Sequence, residues 1–299
     1  MKIIVTGSSG YIGTELCREL ENHGHQVLRI DKRRNFDLLK LRGPSDIAWI
    51  TCSQFEADAM IHLAATPRVP ASISDPAGTL ANNVLSTSAV LEYAKYESLR
   101  NKKFKLLMAG SSAGKSDKIP VSPYGVHKQC AESLGAVYRD LWKMDVATAR
   151  LFNVYDDQSP DGTHRTLISA LIHATKEQTT FNHYRHRRSP KRDFCHLGDT
   201  VEALRRLIEV ESRWMTHMYE IGIGESHETD RVVSYWIAGC KQRGIPFNWD
   251  ELPGRMGDVE KTWADTDDLY KEIRWEPRRE LYQEIDAIFN AWKTTKNDT

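Results

Sequence analysis

Short apolar runs alternate with amphipathic stretches through the first half of the chain. KIIVTG at residues 2–7 is followed by a helical pattern near residues 11–23, then QVLRID at 26–31 and AMIHLAA at 59–65. A long helical pattern at about 79–98 leads into FKLLMAG at 104–110, a helix from Pro123 to about Lys143, and VATARLF at 146–152. Brief apolar strands separated by longer helices require crossover connections, so the pattern predicts parallel strands in a doubly wound α/β sheet. From about residue 156 the rhythm breaks, with a basic stretch HYRHRRSPKR at 183–192 and tryptophans at 236, 249, 263 and 275. A smaller mixed C-terminal domain is expected there, tightly fused, since no repeat or low-complexity linker intervenes. These tryptophans read as core rather than as ligand platforms.

Composition narrows the partners. Lys plus Arg equals Asp plus Glu at 41 each in 299 residues, which argues against a general nucleic-acid or anionic-membrane binder. No apolar run approaches the length that spans a bilayer, and a cytoplasmic location is expected. The five cysteines, Cys17, Cys52, Cys130, Cys195 and Cys240, are scattered and never spaced as CxxC. They read as reduced, packed thiols, Cys130 included, and no metal site is expected. His183 and His186 are poor metal candidates because arginines flank them.

TGSSGYIG places Gly7, Gly10 and Gly13 between the first strand and the first helix. Glycines there let the backbone turn sharply and approach a pyrophosphate, which the N–H groups and dipole of the helix start then hold. Asp31 ends the next strand at the spacing of a carboxylate that binds the adenosine ribose and repels a 2′-phosphate. That favours NAD, although Lys32, Arg33 and Arg34 leave NADP open.

SPYGVHKQC, residues 122–130, sets Tyr124 one helical turn before Lys128, with Ser122 as N-cap and Pro123 in the first turn. By itself the pair fits a solvated helix face as well as a site. If both side chains meet, an ammonium at ~4 Å at an effective dielectric near 20 stabilises a phenolate by up to ~4 kcal/mol. That would bring a phenol with pKa ~10 toward neutrality, where a general acid/base works best.

TGSSGYIG, HLAA at 62–65, Ser111-Ser112 and the Tyr124–Lys128 pair together resemble the extended short-chain dehydrogenases/reductases, in the branch of NAD-dependent nucleotide-sugar epimerases and dehydratases. RLFNVY at 150–155, KRDFCHLGD at 191–199, GRMGDVEKTWADT at 254–266 and IRWEP at 273–277 carry the likeness through the chain. The resemblance implies a Rossmann domain over residues 1–155, joined by segments from about 193–225, and a substrate domain mainly in 156–299. It implies a catalytic set of Ser112, Tyr124 and Lys128. For the cofactor it implies Gly7, Gly10, Tyr11, Ile12, Gly13, Asp31, Asp37, Leu63, Ala64, Ala65 and Asn83, besides Tyr124 and Lys128. Ser112, Asn153, Arg192 and Arg255 fall where the family contacts the substrate and its diphosphate.

The implied activity is epimerisation of a nucleotide sugar with NAD, at C4 through a keto sugar. A nucleotide-sugar reductase, dehydrogenase or dehydratase, or a non-catalytic dinucleotide-binding protein, are the alternatives. The family also implies a homodimer built on the helices near 79–98 and after Pro123, with Val90, Leu91, Leu134 and Val137 at the contact. Two departures stand out. AGKSDKIPVS at 113–122 is shorter than the family's segment between serine and tyrosine, and the basic stretch before Arg192 is longer, either a solvated loop or a clamp on an acidic ligand.

Overall fold

A computed structural model describes residues 1–115, 120–157 and 166–297, with backbone alone beyond Trp292. The chain divides into two units, one of Met1–Leu151, Val201–Ile221 and Asp265–Trp275, the other of Phe152–Thr200, Gly222–Ala264 and Glu276–Thr299.

The first unit is built on a six-stranded parallel sheet. It contains β1 (Lys2–Thr6), β2 (Gln26–Ile30), β3 (Ala59–His62), β4 (Lys105–Ser111), β5 (Asp145–Leu151) and the strand Met218–Ile221. The order across the sheet is Met218–Ile221, β5, β4, β3, β1, β2. Ile3, Ile4, Val5, Ala59, Met60 and Ile61 are fully buried, as strands covered on both faces must be. The chain order reverses at β1, which lies between β2 and β3. In such sheets the crevice beyond the carboxyl ends of the strands at that reversal receives a ligand. The edge strand β2 is largely half-exposed and carries Arg29, paired with Glu21 of the helix α1 (Tyr11–Asn22) at 2.7 Å, which suits an edge.

The helix expected at 79–98 is interrupted. Pro76–Leu80 and Ser86–Arg100 are α-helical, and Ala81–Leu85 between them widens into a π turn. Thr87 Oγ1 donates to the Asn83 carbonyl at 2.8 Å and Ser86 Oγ to Asn82 O at 2.6 Å. Hydroxyls that bond back to the preceding turn compete for its carbonyls and loosen a helix. Val90 and Leu91 of Ser86–Arg100 are fully buried in the core of this unit, beside Trp49, Tyr93 and Phe104. They therefore have no surface for a dimer contact, and Leu134 is partly buried against the same core. The exposed apolar positions on the helix Pro123–Leu141 are Val126, Val137 and Leu141, followed by Trp142.

Cys130 is exposed, contrary to its expected burial, while the other four thiols are buried. It falls on the outward side of a helix whose inward side carries Lys128, Ala131, Glu132 and Gly135.

In the second unit, three helices (Leu167–Lys176, Thr229–Gln242 and Leu281–Asn297) pack around Ile168, Leu171, Phe181, Trp236, Leu281 and Phe289. Phe181–Arg185 pairs in parallel with Trp249–Pro253, and Asn153–Tyr155 with Phe194–His196. Trp236 and Trp275 are core residues, whereas Trp249 and Trp263 remain nearly half exposed. No helix among the described residues is long and apolar enough to cross a membrane.

Candidate active site

Gly7 turns the chain out of β1 at φ 71°, a left-handed backbone that disfavours side chains. A Cβ on Gly7 would lie 2.7 Å from Ala64 N, and one on Gly13 would lie 2.1 Å from Gly7 O. The loop is thus closed around its own backbone. It also touches the segment Leu63–Ala65 that leaves β3, where Ala64 N–H donates to Thr6 Oγ1 at 3.3 Å. Tyr11 and Ile12 begin α1, whose N-cap Gly10 supplies no side-chain acceptor for the first N–H groups. The Ser8 hydroxyl is buried with no protein partner among the described residues. Unspent donors at a helix start, with glycines that admit close approach, fit a dinucleotide pyrophosphate.

Asp31 also holds the loop in place. Its Oδ2 accepts from Ser9 N–H at 3.0 Å and its Oδ1 from Arg33 N–H at 2.9 Å. Arg33 Nη1 returns to Ser9 O at 2.9 Å. A carboxylate oxygen has two lone pairs, so Asp31 keeps acceptor capacity for ribose hydroxyls. Asp37 caps the short turn Leu38–Lys40 through Leu39 N–H at 3.1 Å. Asn83 is buried and clamps Thr66 from both ends of its amide, accepting at 2.6 Å and donating at 3.0 Å. It shapes the loop after β3.

His62 sits behind this loop, with Nδ1 at 2.7 Å from Thr6 Oγ1 and Nε2 at 3.0 Å from Thr87 Oγ1. Burial, then the Lys128 charge, pushes its pKa down to about 3. The folded ring stays neutral, while an unfolded one takes a proton below about 6.5. Its contribution to stability is complete above about pH 6.5 and is lost as pH falls toward 3. The urea midpoint should therefore drop between pH 7 and 4, and His62→Gln should flatten that slope; equal slopes would refute the assignment.

The helix Pro123–Leu141 starts as the sequence predicts, with Ser122 Oγ accepting from Gly125 N–H at 3.2 Å. Ser72, fully buried and unmarked in the sequence, accepts from the Tyr124 N–H at 3.0 Å. Lys128 is 7 % exposed and donates to Ala109 O on β4 at 2.9 Å. Burial pushes its pKa down to about 8, against the opposing pull of Glu132.

One expectation changes here. Tyr124 is half-buried, with its hydroxyl enclosed. Burial raises its pKa, the Ser111 hydroxyl that hydrogen-bonds it pulls the other way, and Glu132 raises it further. The phenol is therefore shifted up, opposite to the lowering expected from Lys128. Ser111, at the end of β4, caps the turn that follows, its Oγ accepting from Ala113 N–H at 3.2 Å. Ser112 begins the short turn Ser112–Gly114 and is half-buried. Part of the shortened segment, residues 116–119, lies outside the described residues.

Asn153, Arg192 and Arg255 all fall in the second unit. Asn153 Nδ2 donates to Asp193 O at 3.1 Å. Burial lowers the pKa of Arg192, partly offset by Asp258, and its Nη1 donates to Lys191 O at 3.0 Å. Arg255 stacks 3.5 Å from the centre of the Tyr184 ring. The basic stretch is balanced locally. His183 pairs with Asp230 at 3.0 Å, Arg185 with Glu251 at 2.6 Å and His186 with Asp258 at 3.1 Å. Lys191 likewise pairs with Glu228 at 3.1 Å, so carboxylates of this unit meet several side chains of the stretch.

The sequence profile of the NAD dependent epimerase/dehydratase family matches residues 3–222. Among relatives, a protein described as probable UDP-arabinose 4-epimerase 3 of Arabidopsis thaliana is 26 % identical, across 98 % of this chain and 80 % of its own. The solved structure of MoeE5 with UDP-glucuronic acid and NAD superposes with a TM-score of 0.79 at 26 % identity, covering 99 % of this chain and 100 % of the other. The fold is also that of the UDP-glucose 4-epimerase of Thermus thermophilus in complex with NAD, with a TM-score of 0.80 at 22 % identity over 98 % and 99 % of the two chains. With the glycine loop, the Tyr124–Lys128 helix and a match over most of its length, this chain belongs to the NAD dependent epimerase/dehydratase family, among the extended short-chain dehydrogenases/reductases.

Proposed function

We propose that the protein is an NAD-dependent nucleotide-sugar epimerase acting at C4 of the sugar. The observation that carries this reading is the helix Pro123–Leu141, which sets Tyr124 one turn before a buried Lys128 that donates to Ala109 O near the end of β4. When bound, NAD supplies a reversible hydride acceptor and a positive charge beside the sugar. Tyr124 accepts the proton of the sugar hydroxyl and later returns it. Because burial raises the phenol, it rests protonated, and deprotonation depends on nearby positive charge. Ser112, with Ser111 next to it, orients the reacting oxygen. Lys128 holds the nicotinamide ribose, and Asn153, Arg192 and Arg255 engage the diphosphate.

The family's dehydratases carry acidic residues directly after the catalytic hydroxyl residue. Here Ala113 and Gly114 follow the serines and neither can move a proton. Incubation with NAD and a panel of UDP-, GDP- and dTDP-sugars, read by NMR, tests the reading. C4 epimers without added reductant support it; a 4-keto-6-deoxy sugar or a decarboxylated pentose as main product overturns it.

Asp31 directs the choice of cofactor in this reading. Asp31→Ala should relax the preference for NAD over NADP, with Arg33 well placed to meet a 2′-phosphate. An unchanged ratio of dissociation constants would show that Asp31 serves only the loop.

A homodimer is part of the proposal, with its contact on the exposed row Val126, Val137 and Leu141. Leu141→Glu should then yield monomers by light scattering at micromolar concentration. A wild-type protein that is already monomeric would remove the proposal.

A further inference from the structure

The stripe that begins at Tyr124 and Lys128 continues one turn further to Glu132, which is 5 % exposed. Its Oε1 accepts from the backbone N–H of Ser111 at 3.2 Å and from Arg150 Nε at 3.3 Å, and its Oε2 accepts from Arg150 Nη2 at 2.7 Å. Arg150, on β5, donates through Nη1 to Glu220 at 2.8 Å. Glu220, on the strand Met218–Ile221, accepts at its other oxygen from Lys115 Nζ at 2.5 Å and from Asp265 N–H at 2.8 Å. Charge thus alternates along four side chains under the end of β4. Room is made for it: a Cβ on Gly110 would lie 2.4 Å from Glu132 Oε1.

Stability alone does not account for such a chain, because buried ion pairs recover little more than their desolvation cost. Its placement is more telling, since Glu132 binds the backbone N–H of Ser111, beside the proposed catalytic Ser112. We propose that Glu132, Arg150, Glu220 and Lys115 form a positioning device. Glu132 fixes the serine end of β4 against the helix bearing Tyr124 and Lys128, and Lys115 ties the turn Ser112–Gly114 that precedes it to the same anchor. The inference rests on the catalytic role of Tyr124 proposed above.

The groups that face one another are Lys128 and Tyr124 from the helix, Ser111 from β4, Arg150 from β5, Glu220 from the strand beyond it, and neutral His62 from β3. Negative charge at Glu132 favours the Lys128 ammonium and disfavours the Tyr124 phenolate. Removing it lets both groups lose their protons at lower pH.

The test uses the cofactor-loaded enzyme. Glu132→Gln should lower kcat ~10-fold or more, since small misplacements of reacting groups are costly, with KM for the nucleotide sugar within ~2-fold. Both limbs of its pH–rate profile should move to lower pH, and Glu132→Asp should restore the limbs and part of kcat. A wild-type kcat and profile in Glu132→Gln would overturn the proposal. Tyr124→Phe, measured beside it, separates the two failures: full activity there removes the catalytic reading and this one with it. An inactive Tyr124→Phe with a wild-type Glu132→Gln removes the positioning role alone. If Glu132→Gln does not fold, Lys115→Met at the more exposed end of the chain decides. An intact fold with kcat lowered ~3-fold or more supports the device, and an unchanged kcat overturns it.

Discussion

Tyr124→Phe is expected to lower turnover by at least ~100-fold, the lower range for losing a general acid/base, while the protein retains its nicotinamide absorbance. The substitution deletes one oxygen and keeps the ring. The helix start depends on Ser122, Pro123 and the Ser72 contact with the Tyr124 backbone, none of which needs the phenol. Lys128 still donates to Ala109 O. The loss should therefore fall on kcat, with KM and thermal stability near wild type. Retained turnover would show that another group carries the proton, and the C4 mechanism would have to be abandoned.

Arg150→Met is expected to cost ~3–5 kcal/mol in stability, the range for removing one partner of a buried ion pair. Arg150 holds two carboxylates, and the side chains of Glu132 and Glu220 are 6 % and 9 % exposed. Met fills much of the volume but leaves both charges uncompensated. Against a total of ~5–15 kcal/mol for a typical domain, that is a large fraction, and the urea midpoint should fall accordingly. Neutralising the acids as well, with Glu132→Gln and Glu220→Gln added to Arg150→Met, should recover part of the loss. A cost below ~1 kcal/mol for Arg150→Met alone would mean that water reaches the carboxylates.

Local rules make several features legible in the amino-acid sequence. The glycines of TGSSGYIG, the acid ending QVLRID and the Ser-Pro start of the tyrosine helix each depend on residues within one or two turns of themselves. Glu132 is equally legible, four residues after Lys128 on the same face, but its partners are not. Arg150 and Glu220 lie 18 and 88 positions further on and meet it only through strand order.

By itself, then, the sequence determined the parallel α/β sheet, the place of the dinucleotide loop and the tyrosine–lysine stripe, because hydrophobic period, glycine conformation and helix capping act over a few residues. Only the tertiary structure decided what those groups experience. Burial depends on what packs over a side chain from distant segments. It raised the Tyr124 phenol where the Lys128 charge alone would have lowered it, and it hid Val90 and Leu91 within the core while leaving Cys130 at the surface. Desolvation and long-range pairing are sums over the whole fold, and no window of sequence contains them.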